Sequence, residues 1–307
     1  MTSQAAATGA EAPSIDELLE KTSRTFALSI PLLPEPTRRE VGVAYLLFRI
    51  ADTFEDAVSW PRERRLAALA ELDALLATPA AANDHVVGWL APPPPIAHAG
   101  YQELLAASPA VLDAYAELEP GARETIRRHL GRTIAGMARF VAGSDEGGRL
   151  ALSTLAELRQ YRYAVAGIVG EMLCDLFLLD TALAPVAERM RKRAAAFGEG
   201  LQLVNILKDA GGDANEGRCY LPASVPRDEV LALARADLDA AREYVRALHE
   251  VAAPRGLVAF TALPVLLAAD SLDVVEREGP GVKVSRQRVG ALVAQLDSAL
   301  DRGAPPV

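Results

Sequence analysis

The chain has 307 residues, half of them apolar and only 5% aromatic, with 41 acidic residues against 32 Lys plus Arg and a formal net charge of −9. An acidic chain with no Lys/Arg block is a poor nucleic-acid binder, and two cysteines (Cys174, Cys219) with four scattered histidines make neither a disulfide framework nor a zinc module. The apolar mass is mostly Ala, Leu and Val with Glu and Arg between them, which are residues that favour helices.

Residues 1–13 read as a disordered lead-in, 14–302 as one all-helical domain and 303–307 as a tail. The N-terminus has neither the basic start nor the apolar stretch of a signal peptide. Ser14 and Glu17 have capping-box spacing. Pro31, Pro34 and Pro36 then interrupt the helical period. Long helices are expected over 37–60 and 61–78, followed by a loop over 79–99 centred on Pro92–Pro95. Further helices are expected near 101–116, 119–142, 153–179, 184–213, 228–251, 256–277 and 286–301. No alternating strand pattern and no 20–50-residue repeat is present. The longest apolar run, Leu257–Ala269, contains Pro264 and falls short of the roughly 20 residues of a membrane span. These features predict an all-α cytoplasmic protein and leave peripheral membrane contact open.

Two polar stripes stand out on otherwise apolar helices. In Ala44–Ala57, Asp52, Glu55 and Asp56 are spaced i, i+3, i+4, so their Cβ atoms lie roughly 5–6 Å apart on a helix. Tyr45, Arg49, Asp52 and Asp56 form one line through Leu46, Leu47, Phe48, Ile50 and Ala51. A helix apolar all round is buried, and buried charges need partners or an ion. Arg49 offsets only one of the three carboxylates, and a divalent cation bridged to a phosphate would offset more. In the second stripe Gln202, Asn205, Asp209 and Asp213 run between Leu201, Leu203, Val204, Ile206 and Leu207, with Gly211 and Gly212 expected to loosen the helix. Each stripe alone also suits a solvated helix face or a helix end. Two together suggest metal-assisted diphosphate chemistry across a helical cavity.

At these residues the sequence resembles the squalene/phytoene synthase family of head-to-head prenyltransferases. The resemblance is carried by SRTF (Ser23–Phe26), YLLFRIADTFED (Tyr45–Asp56), YRYAVAGIVGE (Tyr161–Glu171), LQLVNILKDAGGD (Leu201–Asp213) with GRCYLP (Gly217–Pro222), and VKVSR (Val282–Arg286). It implies an isoprenoid-synthase-type helical bundle around a central cavity. It also implies Mg²⁺ held by Asp52, Glu55, Asp56, Asp209 and Asp213, with Tyr161 assisting ionisation and cyclopropanation. Diphosphate would be bound by Arg24, Arg49, Tyr45, Asn205, Gln202, Arg218 and Ser23, with Lys283 and Arg286 as lesser candidates. Phe26, Val165, Ala166, Val169 and Gly170 would line the prenyl channel.

Each motif also has a structural reading. SRTF suits a helix cap, Tyr161 a core tyrosine, VAGIVG close helix packing, GRCYLP a helix exit, and Glu171 and Asp175 structural polar groups. Lys208 stands where the family usually has Arg, and Gly212 where it usually has Glu. Within the family the pattern looks most like bacterial squalene synthase: two farnesyl diphosphates joined through presqualene diphosphate and reduced by NADPH. Phytoene, dehydrosqualene or presqualene diphosphate synthesis stay open. So does a non-catalytic prenyl-lipid binder. A terpene cyclase or chain-elongating enzyme fits less well, because neither DTFED nor DAGGD has the doubled leading Asp.

Overall fold

The computed structural model describes residues 13–23, 25–78 and 96–307. The lead-in up to residue 12, Arg24, and 79–95, with His85 and the four-proline loop, lie outside the described residues. Most of the rest is helix. Helix α1 (Ile15–Thr22) starts at the expected capping box, in which the Ser14 hydroxyl accepts from the Glu17 N–H and the Glu17 carboxylate accepts from the Ser14 N–H. A short turn α2 (Phe26–Ser29) leads through the prolines to α3 (Thr37–Glu55). The apolar residues around the first stripe bury α3 on nearly every side.

Several boundaries differ from expectation for identifiable reasons. Helix α3 stops at Glu55, with Asp56 as its cap, because Trp60 stacks on Phe54 (6.1 Å between centroids, 10° between planes) and Pro61 begins α4 (Arg62–Ala77). The stretch 101–116 divides into α5 (Ala99–Ala106) and α6 (Ser108–Ala116), since Pro109 lacks an N–H and suits a helix start. Helix α7 (Pro120–Ala142) follows as expected. The central helix is α8 (Leu155–Arg162), a π turn (Tyr163–Gly167) and α9 (Ile168–Phe177). Helix α10 (Ala187–Asn215) runs through Gly211 and Gly212 without loosening.

The last three helices are α11 (Arg227–Glu250), α12 (Arg255–Glu278) and α13 (Arg286–Asp301). Helix α12 continues beyond the apolar run and by length and composition is sufficient to cross a membrane. Here it packs on α10, α11 and α13, and its Val258, Phe260, Thr261, Ala262 and Leu263 are buried. One two-residue parallel pair, β1 (Leu150–Ala151) with β2 (Arg218–Cys219), joins the loop after α7 to the chain leaving α10. Gly217, at φ +83°, makes the turn into β2 that a side chain would resist. Helices α3, α8, α10 and α12 surround a space left open between them.

Candidate active site

That space is a cavity of about 700 Å³. From α3 it receives Tyr45, Arg49, Asp52, Glu55 and Asp56, and from α10 Gln202, Asn205, Lys208, Asp209 and Asp213. The two stripes therefore face one another across a shared volume. Tyr161, Arg218, Tyr220 and Ser23 also line it. Of the residues expected to bind diphosphate or metal, only Arg24 lies outside the described residues.

On the α3 wall, Arg49 stands 3.2 Å from Asp52 and donates to the Tyr45 hydroxyl at 3.3 Å, while Tyr45 donates to the carbonyl of Thr22 at 3.1 Å. The Arg49 guanidinium lies over both the Tyr45 and the Tyr101 rings, 5.6 and 5.4 Å from their centroids. The carboxyls of this wall are all held above the ordinary carboxylate range, Asp52 up to about 6, because the surrounding protein displaces water from them; Glu55 is buried, whereas Asp56 at the end of the helix is half exposed. Like charge adds to the effect, while Arg49 opposes it at Asp52 and Arg218 at Asp56. Glu55 is buried and its Oε1 has no hydrogen-bond partner.

On the α10 wall, Lys208 donates to Asn205 Oδ1 at 2.9 Å and stands 3.3 Å from Asp209. Arg218 reaches between the walls, 3.5 Å from Asp56 and 3.5 Å from Asp213. Burial raises the Asp213 carboxyl, against the pull of Arg218. Tyr161 is sandwiched in aromatic contacts: it stacks on Tyr220 (4.7 Å, 21°) and meets Phe140 edge-on (5.1 Å, 86°). Burial, with the nearby Glu55 charge, pushes the Tyr161 hydroxyl well above the usual phenol range, so it is a proton-bearing hydroxyl and not a base.

Below the polar cavity lies a narrower, apolar one of about 180 Å³, which shares Phe26, Tyr45, Val165 and Leu201 with it. All five expected channel residues (Phe26, Val165, Ala166, Val169 and Gly170) line it, and Phe48, Phe197, Met172 and Phe260 close it in. Gly170 serves close packing as well: a Cβ there would run into the Ala194 carbonyl, and one on Gly198 into that of Ala166. Channel and packing are thus two uses of the same small residues.

The hydroxyl of Ser23 accepts from the N–H groups of Phe26 (2.9 Å) and Ala27 (3.3 Å), so it caps α2 at the cavity edge. Lys283 lines a separate surface cavity with Asp270, Asp273 and Arg277, and Arg286 lines neither. Glu171 accepts from Tyr163 and pairs with Arg132, and Asp175 pairs with Arg128 and His129, the structural roles expected of them.

Sequence reasoning missed Tyr101 and His98, which stack on each other (4.2 Å) at the cavity mouth, and Tyr220. Tyr220 had a signal, two places after Arg218 in GRCYLP. It also missed a buried charge group in which Arg162, 1% exposed, pairs with Glu199 (3.2 Å) and Asp237 (2.5 Å) behind the central helix.

Among the described residues no three His, Cys, Asp or Glu side chains are already grouped to hold an ion. The donor set nevertheless suits Mg²⁺. It is all oxygen, it carries an orphaned buried Glu55 oxygen, and Mg²⁺ ordinarily takes one or two carboxylates and completes its shell with water and substrate phosphate.

Residues 19–229 match the family model described as squalene/phytoene synthase. A squalene synthase of Botryococcus braunii is 31% identical over 204 residues, which is 65% of this chain and 39% of that protein. The squalene synthase of Schizosaccharomyces pombe is 28% identical over 213 residues, 68% of this chain and 44% of that one. The chain thus matches less than half the length of these curated relatives. Among solved structures, TcSQS in complex with the ligand E5700 superposes with a TM-score of 0.77 at 23% identity, covering 94% of this chain and 87% of that one, which is a likeness of fold. With the motifs in order, the facing stripes and a family match over more than two thirds of its length, the chain belongs to the squalene/phytoene synthase family.

Proposed function

We propose that the chain is a prenyltransferase that condenses two farnesyl diphosphates head to head, through presqualene diphosphate, to squalene, with NADPH as the reducing co-substrate. One observation carries the reading: the polar cavity, with carboxylates on two facing walls and guanidinium groups among them, opens into an apolar channel lined by Val165, Ala166 and Val169. A diphosphate with a hydrocarbon tail needs both halves joined in this way.

Asp52, Glu55 and Asp56 on one wall, with Asp209 and Asp213 on the other, would hold Mg²⁺, which when bound supplies positive charge for a departing diphosphate. Arg49 and Arg218 bind diphosphate oxygens, for which a guanidinium fork is well shaped. Their rigid placement costs no reorganisation as charge develops on the leaving group. Tyr161 keeps its proton and presents a hydroxyl dipole beside the reacting carbons. The channel excludes water, the competing nucleophile for a carbocation. Phe48, Phe197 and Phe260 complete the apolar lining that a prenyl tail would meet.

The test is product analysis with purified protein, Mg²⁺ and either farnesyl or geranylgeranyl diphosphate, each with and without NADPH. Squalene formed only with NADPH supports the reading. A C30 hydrocarbon without NADPH assigns dehydrosqualene synthesis, an accumulating C30 diphosphate assigns presqualene diphosphate synthesis, and C40 product assigns phytoene synthesis. Binding of prenyl diphosphate without turnover assigns the non-catalytic role.

A further inference from the structure

Arg65 lines neither cavity, yet it reaches the turn that ends α3. It projects from α4 and is 4% exposed. Its Nη2 donates to the Glu55 carbonyl and its Nε to the Phe54 carbonyl at 3.4 Å. Its Nη1 has no hydrogen-bond partner, and neither has the buried Oε1 of Glu55.

The placement answers a specific difficulty. The last carbonyls of a helix carry partial negative charge, and α3 puts two acidic side chains at that same end. A buried guanidinium is itself costly unless it is paired. Behind the turn it offsets the helix end and the carboxylates together, from the side that substrate cannot reach.

We propose that Arg65 is a positioning residue for the first carboxylate cluster: by holding the Phe54 and Glu55 carbonyls at the end of α3, it keeps Glu55 and Asp56 turned to the cavity in the arrangement that binds a divalent cation. This rests on the metal reading of the same cluster given above.

The test uses the full chain as wild type, Arg65→Lys and Arg65→Gln. Mn²⁺ binding is followed by electron paramagnetic resonance in the presence of farnesyl thiolodiphosphate, an analogue slow to ionise. Circular dichroism and thermal unfolding are recorded on the same samples. Lysine keeps the charge but cannot span two carbonyls, so both variants are expected to stay helical while the Mn²⁺ Kd rises by about 10- to 100-fold. The Mg²⁺ concentration for half-maximal turnover should rise in parallel, with the KM for farnesyl diphosphate at saturating Mg²⁺ little changed. If Arg65→Gln does not fold, Arg65→Lys decides the matter alone. A lowered Tm with unchanged Mn²⁺ affinity would overturn the proposal and leave Arg65 a structural cap. Wild-type protein that binds no Mn²⁺ would overturn the metal reading itself, a result visible before any variant is compared.

Discussion

The guanidinium of Arg218 stands 3.5 Å from the carboxylate of Asp56, although one follows α10 and the other caps α3. The same guanidinium is 3.5 Å from Asp213 on the opposite wall. Its backbone is fixed by the β1–β2 pair and the Gly217 turn, so the contact does not depend on a free loop. Arg218 is therefore the point at which the two acidic stripes become one site.

Replacing Arg218 with Gln should leave helical content intact and lower kcat/KM by about 100-fold or more, the scale of removing one fixed donor from a developing anion. Steady-state kinetics beside circular dichroism check this. A change smaller than threefold would show that Arg218 only links the walls.

The Tyr161 ring packs against Phe140 and Tyr220, and Phe preserves both ring contacts. Tyr161→Phe is therefore expected to fold like wild type and keep the KM for farnesyl diphosphate, while kcat falls by about 10²-fold. An unchanged kcat would make Tyr161 a core residue alone.

Gly170 and Val169 separate packing from channel. A methyl on Gly170 meets the Ala194 carbonyl, so Gly170→Ala should lose about 1–3 kcal/mol in denaturant unfolding. Val169→Phe points into the narrow cavity. It should retain stability and inorganic diphosphate binding yet raise the KM for farnesyl diphosphate. Equal effects of both variants on stability and KM would contradict the division.

Glu199 supplies a pH dependence unconnected with metal. Burial pushes its carboxyl up to about 7, with Asp237 adding to the shift and Arg162 opposing it. Its folded value lies above the ordinary 4.5, so the folded chain holds the proton more tightly than the unfolded chain does. The resulting stability is fully present below that ordinary value and is lost as pH rises through about 7. Wild-type Tm should accordingly fall more steeply than that of Glu199→Gln between about pH 5 and about pH 8. Parallel Tm curves would contradict the assignment.

The stripes of α3 and α10 were legible because polar residues at helical spacing, set among apolar neighbours, mark a buried face whatever it packs against. The channel residues Val165, Ala166 and Val169 were legible through their motif. Tyr101, Arg65 and the Arg162–Glu199–Asp237 group were not, since each acts on a residue far along the chain and the pairing exists only once helices pack. The π turn at Tyr163–Gly167 is also invisible to a 3.6-residue period, because one extra residue changes the phase only beyond it. Propensity alone predicts loosening at Gly211 and Gly212, and the packed length of α10 overrides it.

In the proposed function the α3 and α10 carboxylates act on one substrate across one cavity. Diphosphate release from farnesyl diphosphate, with Mg²⁺ and NADPH, tests it most directly in wild type, Asp52→Asn and Asp213→Asn. Both variants are expected to stay helical, with release abolished in Asp52→Asn and reduced by at least about 100-fold in Asp213→Asn. Near-wild-type release by Asp52→Asn would contradict the metal reading of the first stripe, and near-wild-type release by Asp213→Asn would remove the second wall from the site.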